Sequence, residues 1–179
     1  MLKRIVISPF FKCLVIFTWL TGSAFRIGYQ EGNEYSVKAM FLLNFMKYVE
    51  WPSENSGSTF RIGIVGDNDM ELALNQMLLH RAGDGKKIEI NNLDGVANNN
   101  CQIIFISHSE NRQMDECLKK YSAKGVLVVT EDMKTNSGGA INLVTIDNKV
   151  RFEINHTAIK AANLKVATRL TELAIPTRQ

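Results

Sequence analysis

Residues 101–130, CQIIFISHSENRQMDECLKKYSAKGVLVVT, decide the fold. Cys101-Gln-Ile-Ile-Phe-Ile-Ser107 is a near-continuous apolar run, of the kind found in strands covered on both faces. Residues 111–121 read as a helix, which Lys124-Gly125 ends. Val126-Leu-Val-Val-Thr130 is a second short apolar strand. Strand, helix and strand in that order predict a parallel pair joined by a crossover, with helices on the sheet faces.

Upstream, the pattern repeats. Thr59-Phe-Arg-Ile-Gly-Ile-Val65 is β-rich and ends at Gly66-Asp67. Asp69–His80 reads as a helix with an acidic first turn and apolar Leu72, Met77 and Leu79. Gly83-Asp84-Gly85 breaks it, Lys87–Asn91 alternates as a half-buried strand, and residues 92–100 are a polar, Asn-rich loop. Before these, Tyr35–Tyr48 is the strongest helical segment. Val37, Met40, Phe41, Asn44, Phe45 and Tyr48 follow helical spacing, and Ala39, Leu42, Leu43 and Met46 fill other faces. A helix apolar nearly all round is a buried one, and Trp51-Pro52 stops it.

Downstream, the style changes. Gly138-Gly139 is a turn, and strands at 140–146 and 149–154 are joined by Asp147-Asn148, a pair suited to a tight hairpin. Asn155 is placed to cap a helix over 156–163. A final helix over 165–174 carries Val166, Leu170 and Leu173 on one face. The expected architecture is a single three-layer α/β domain. Its sheet is mostly parallel, from two βαβ units, followed by the C-terminal hairpin and two C-terminal helices.

The N-terminus has another character. Lys3 and Arg4 precede an apolar stretch, Cys13–Leu20, and Gly22-Ser23-Ala24 supplies small residues for cleavage. This is the layout of a secretory signal, and the apolar run is too short for a bilayer span of ~20 residues. The expected organisation is a signal peptide at 1–24 cleaved after Ala24, a flexible lead at 25–33, the domain at 34–175 and a tail at 176–179. Lys3, Arg4 and Lys12 leave with the signal, so 21 basic residues become 18 against 18 acidic ones. A near-neutral mature domain has no electrostatic footprint for nucleic acid.

Candidate chemistry is sparse. His80, His108 and His156 lie in three separate segments, and no metal-ligand spacing or nucleophile elbow occurs. Ser107-His108-Ser109 sits at the end of a buried strand, where α/β sheets bind ligands. Capping of the next helix by Ser107 or Ser109 is the plainer role. Gly63-Ile-Val-Gly66-Asp67 lies between strand and helix but lacks the spacing of a dinucleotide site, so a turn is expected. Asn155-His156-Thr157 matches a glycosylation sequon, but Asn155 is needed as the cap. Arg151, Glu153 and Asn155 project from one side of a strand whose other side is core. They form either a solvated edge with an internal Arg–Glu pair or a polar wall facing a small ligand or a protein partner. Cys101 and Cys117 remain after the signal is removed. An exported compartment permits a disulfide, but packed strand and helix axes lie ~10 Å apart, farther than the bond spans, and two buried free thiols are the alternative.

Several segments together resemble the YfiR/HmsC family of periplasmic proteins. Tyr35–Pro52 is similar to its opening helix, Phe60–Gly66 to its first strand and Cys101–Ser107 to its central strand. Gly138-Gly-Ala-Ile-Asn142 and Val150-Arg-Phe-Glu-Ile-Asn155 resemble its most recognisable signature, and residues 161–174 its closing helix. The resemblance implies a periplasmic repressor that holds an inner-membrane diguanylate cyclase inactive by binding its periplasmic sensor domain, and so controls cyclic di-GMP and biofilm. It implies no enzymatic activity and no cofactor. The implied partner is a membrane-bound GGDEF protein, with a small aromatic ligand and a homodimer as further implications. The family's disulfide redox response is in doubt here, since Cys101 matches a family cysteine but the first strand offers it no partner. The candidate binding residues are Asn142, Arg151, Glu153, Asn155 and His156. Cys101 and Cys117 are candidate redox thiols, and no catalytic residue or metal ligand is expected. The alternative function is a periplasmic small-molecule binding protein serving a transporter or sensor kinase.

Overall fold

The computed structural model describes residues 31–52, 58–66, 68–79, 86–93, 100–123, 125–133 and 139–177. The signal at 1–24, the break at Gly83-Asp84-Gly85, most of the Asn-rich loop, and His80, Lys124 and Gly138 lie outside the described residues.

The chain opens with helix α1 (Glu31–Tyr48) and a two-residue strand β1 (Val49–Glu50). Then come β2 (Thr59–Val65), α2 (Asn68–Leu79), β3 (Lys87–Asn92) and β4 (Ile103–Ile106). A 3₁₀ turn (His108–Gln113) leads into α3 (Met114–Tyr121), followed by β5 (Leu127–Glu131), β6 (Ile141–Ile146) and β7 (Lys149–Ile154). The end is α4 (His156–Ala161), β8 (Lys165–Val166) and α5 (Thr168–Leu173).

The main sheet has six strands in the order β3-β2-β4-β5-β6-β7. Every neighbour pair from β3 through β6 is parallel, and β6 and β7 form the antiparallel hairpin. Asp147 and Asn148 take φ of 48° and 58°, which suits a two-residue hairpin turn. Gln102 ties the lower end of the sheet together. Its side-chain oxygen accepts the Arg61 N–H at 2.7 Å, and its carbonyl accepts from Leu127 N and from the Trp51 indole.

Alternation along the strands splits the core into two layers. One face presents Ile62, Ile64, Ile103, Phe105, Leu127, Val129, Leu143 and Phe152 to α1, α2, α4 and α5. The other presents Ile104, Ile106 and Val128 to Met114, Cys117, Leu118 and Tyr121 of α3. Helices on both faces of a parallel sheet make the expected three-layer α/β domain. Phe152 anchors α1, with ring centroids 5.4 Å from Phe41 and 5.5 Å from Phe45 in edge-on contact, a favourable arrangement of ring quadrupoles.

Four local expectations are corrected. The first helix begins four residues before Tyr35; its end at Tyr48 is as expected, and there Val49–Glu50 pairs antiparallel with Lys165–Val166. Because of that pairing the final helix does not start at Lys165. Ala167 N–H donates to Tyr48 O, and α5 is confined to Thr168–Leu173. Leu170 is buried on it but Leu173 is exposed, so the expected apolar stripe is partial. The helix after β4 starts earlier, as a 3₁₀ turn from His108.

Candidate functional site

The chain places β3 on one side of β2 and β4 on the other, so the topological switch point lies between the carboxyl ends of β2 and β4. Open α/β sheets hold ligands in that crevice. Here Gly66 turns the chain with φ of 81°. The Ser109 hydroxyl donates to Gly66 O at 2.8 Å and lies 2.5 Å from the Ser107 hydroxyl. A Cβ on Gly66 would come within 2.6 Å of Glu110 Cγ and 2.8 Å of Ser109 Oγ. Among the described residues, the Ser109 and Glu110 side chains pack against Gly66 at this end of the sheet. The expected capping role of Ser107 is corrected: it makes no side-chain cap bond, and the Ser109 hydroxyl is committed to Gly66 O.

Beside it lies a buried charge cluster that the sequence reading missed. Lys38 sits in the middle of α1 yet is only 3% exposed. Its ammonium meets the Glu131 carboxylate at the end of β5 and the Glu34 carboxylate one turn earlier, the latter at 2.5 Å. Glu131 also accepts the His108 N–H at 2.9 Å, and Glu34 accepts the Thr145 hydroxyl at 2.7 Å. Burial opposes ionisation of Lys38 and of Glu34. For Lys38, hydrogen bonds and charge from Glu131 and Glu34 outweigh it and raise the ammonium's pKa. For Glu34, burial is outweighed by hydrogen bonds from Lys38 and Thr145 and by the Lys38 charge, and its pKa is lowered. The sequence signal was Glu34 and Lys38 at helical i,i+4 spacing, but such pairs are commonly exposed.

The candidate residues of the signature strands divide. Asn142 and Glu153 stand directly opposite each other on β6 and β7. Asn142 Nδ2 donates to Glu153 Oε2 at 2.9 Å and to Met133 O at 2.6 Å. Asn142 Oδ1 accepts from Met133 N and from the Thr130 hydroxyl, each at 3.1 Å. One amide thus serves both backbone groups of Met133, as a neighbouring strand would, and holds the segment leaving β5 against the hairpin. Glu153 is fully buried, so it does not share a solvent-facing wall with Arg151, which is exposed. Asn155 accepts Ala158 N–H at 3.1 Å as the cap of α4, and His156 is exposed on the first turn. The five residues therefore form a buried pair and an exposed Arg151, with Asn155 and His156 at a helix start.

A cavity of about 330 Å³ opens where α4 approaches the lower end of β5 and β6, lined by Val126, Val128, Ala140, Ala158, Ala161 and Ala162 among others. The small side chains of α4 leave the space. Cys101 and Cys117 are free thiols, both buried in the layer under α3. Burial first, and the Glu110 and Glu116 charges next, push the Cys117 thiol up despite Lys120. Among the described residues no cluster of three His, Cys, Asp or Glu is arranged to hold a metal ion, and no helix is long and apolar enough to cross a membrane.

The described residues form a three-layer α/β domain with polar side chains at the switch point and a cluster of paired charged groups beside it. The chain belongs to the YfiR/HmsC-like family, whose model matches residues 35–175. That family is one of periplasmic regulators of the diguanylate cyclase kind, and it is non-catalytic. No match to an individual curated protein was found.

Proposed function

We propose that this protein is exported to the periplasm and there represses a membrane-bound diguanylate cyclase by binding the periplasmic sensor domain of that GGDEF protein. Family membership across residues 35–175 carries the reading. The mechanism is linkage. A repressor that binds one state of the cyclase shifts its equilibrium by the difference in affinity for the two states, and no covalent step is required.

A small aromatic effector is part of the same proposal, and the cavity beside α4 is where it would sit. A dry site of ~150 Å³ already admits one benzene ring, so about 330 Å³ suffices for a fused ring. A homodimer in solution is the remaining element, checked by sedimentation of the mature chain. Deleting the gene tests the main reading. Cyclic di-GMP should rise and return to its former level on complementation. Unchanged levels with the cyclase present contradict repression.

A further inference from the structure

β7 is an edge strand. Its ladder with β6 pairs Ile146 with Lys149, Val144 with Arg151 and Asn142 with Glu153. The two-residue turn makes the first of these a hydrogen-bonded pair, so by antiparallel alternation residues 149, 151 and 153 spend their backbone groups on β6. Val150 and Phe152 turn theirs to the open side. One such group is taken: Ile175 N–H donates to Phe152 O at 2.9 Å. Pro176 follows and has no N–H with which to continue. The outward N–H and C=O of Val150 make no hydrogen bond among the described residues.

The two edges of the sheet differ in charge. At β3, Glu89 is bonded to both Lys87 and Arg61, at 2.9 and 3.1 Å. At β7, Lys149 and Arg151 are exposed, and neither joins an ion pair among the described residues. Lysine and arginine on an edge discourage pairing with a like strand. They also select for the opposite charge.

We propose that the Lys149–Phe152 stretch of β7 is a docking edge for an extended acidic segment of a partner protein, which adds to the sheet as a further strand. Strand addition of this kind draws affinity from main-chain bonds and specificity from alternate side chains. Charge identifies the occupant. A second copy paired antiparallel about a two-fold sets Arg151 against Lys149 when Val150 lies on the axis, and against itself when Arg151 does. Like charges directly opposite each other destabilise a sheet. A segment with Glu or Asp at alternate positions faces both cations with carboxylates while its backbone meets Val150. The bond from Ile175 is a one-residue precedent for an extended donor on this edge. The inference stands whether or not the partner is a cyclase.

The test uses the mature chain and two short synthetic peptides, one alternating valine with glutamate and one alternating valine with lysine. Amide hydrogen exchange is read residue by residue. The glutamate peptide should slow exchange at Val150 by about tenfold or more, and the lysine peptide should not. Val150→Pro removes the outward N–H without touching the β6 ladder and should abolish binding. The double substitution Lys149→Glu and Arg151→Glu should invert the peptide preference, and it decides the matter alone if the proline variant does not fold. Unchanged exchange at Val150 under saturating peptide, equal binding of both peptides, or protection that grows with protein concentration alone overturns the proposal.

Discussion

Asn142 and Glu153 face each other across the β6–β7 hairpin, with the amide donating to the carboxylate at 2.9 Å inside a site from which water is excluded. Side chains of this kind, standing on neighbouring strands, belong to the interior. Their partners are Met133 and Thr130, so their work is to fix the chain as it leaves β5. Asn142→Ala leaves both backbone groups of Met133 without their side-chain partner, removes one bond from Glu153, and should cost about 2–4 kcal/mol in urea unfolding. Glu153→Gln keeps an acceptor of the same shape and should cost less. Equal, small losses for both variants would show that the clamp contributes little.

The cluster of Glu34, Lys38 and Glu131 predicts a pH dependence. The Glu34 pKa is lowered from 4.5 in the folded state, so its contribution is present above that pH and lost as pH falls through the lower folded value. The Lys38 pKa is raised from 10.5, so its contribution is present below that pH and lost as pH rises through the higher folded value. Glu34→Gln should flatten the acid limb of stability against pH. An unchanged slope would contradict the assignment. Lys38→Met leaves the buried Glu131 carboxylate and the half-buried Glu34 carboxylate without their cation and should cost about 3–5 kcal/mol.

Gly66→Ala combines a positive φ with a Cβ placed 2.6 Å from Glu110 Cγ. It should destabilise by about 1–3 kcal/mol, by strain and by displacing the Glu110 and Ser109 side chains. A thermal melt reads the effect, and an unshifted midpoint would mean that those side chains give way at little cost.

Buried thiols react slowly because the thiolate is the nucleophile. Cys101 and Cys117 should resist iodoacetamide in the folded protein at neutral pH and react together on unfolding. Rapid alkylation of Cys117 alone would show that α3 opens locally.

The parallel sheet was legible because its strands carry strong local signals. Ile103–Ile106 and residues 127–129 are apolar on both faces, and Asp147-Asn148 names its own turn. The β1–β8 pair was not legible, since two-residue strands are made by tertiary pairing rather than by their own residues. The polar wall failed for a similar reason. Arg151 and Glu153 alternate alike in sequence, but Asn142 lies across from Glu153 and removes it from water. Lys38 was hidden because nothing local reveals a partner on β5, 93 residues away.

The proposed repression acts by non-covalent contact with the cyclase's periplasmic part. The direct measurement is cyclic di-GMP synthesis by the membrane GGDEF protein in proteoliposomes, as purified mature chain is added on the sensor-domain side. Synthesis should fall to a saturable floor and recover on dilution. A turnover rate that stays constant at every concentration of the chain would contradict the account.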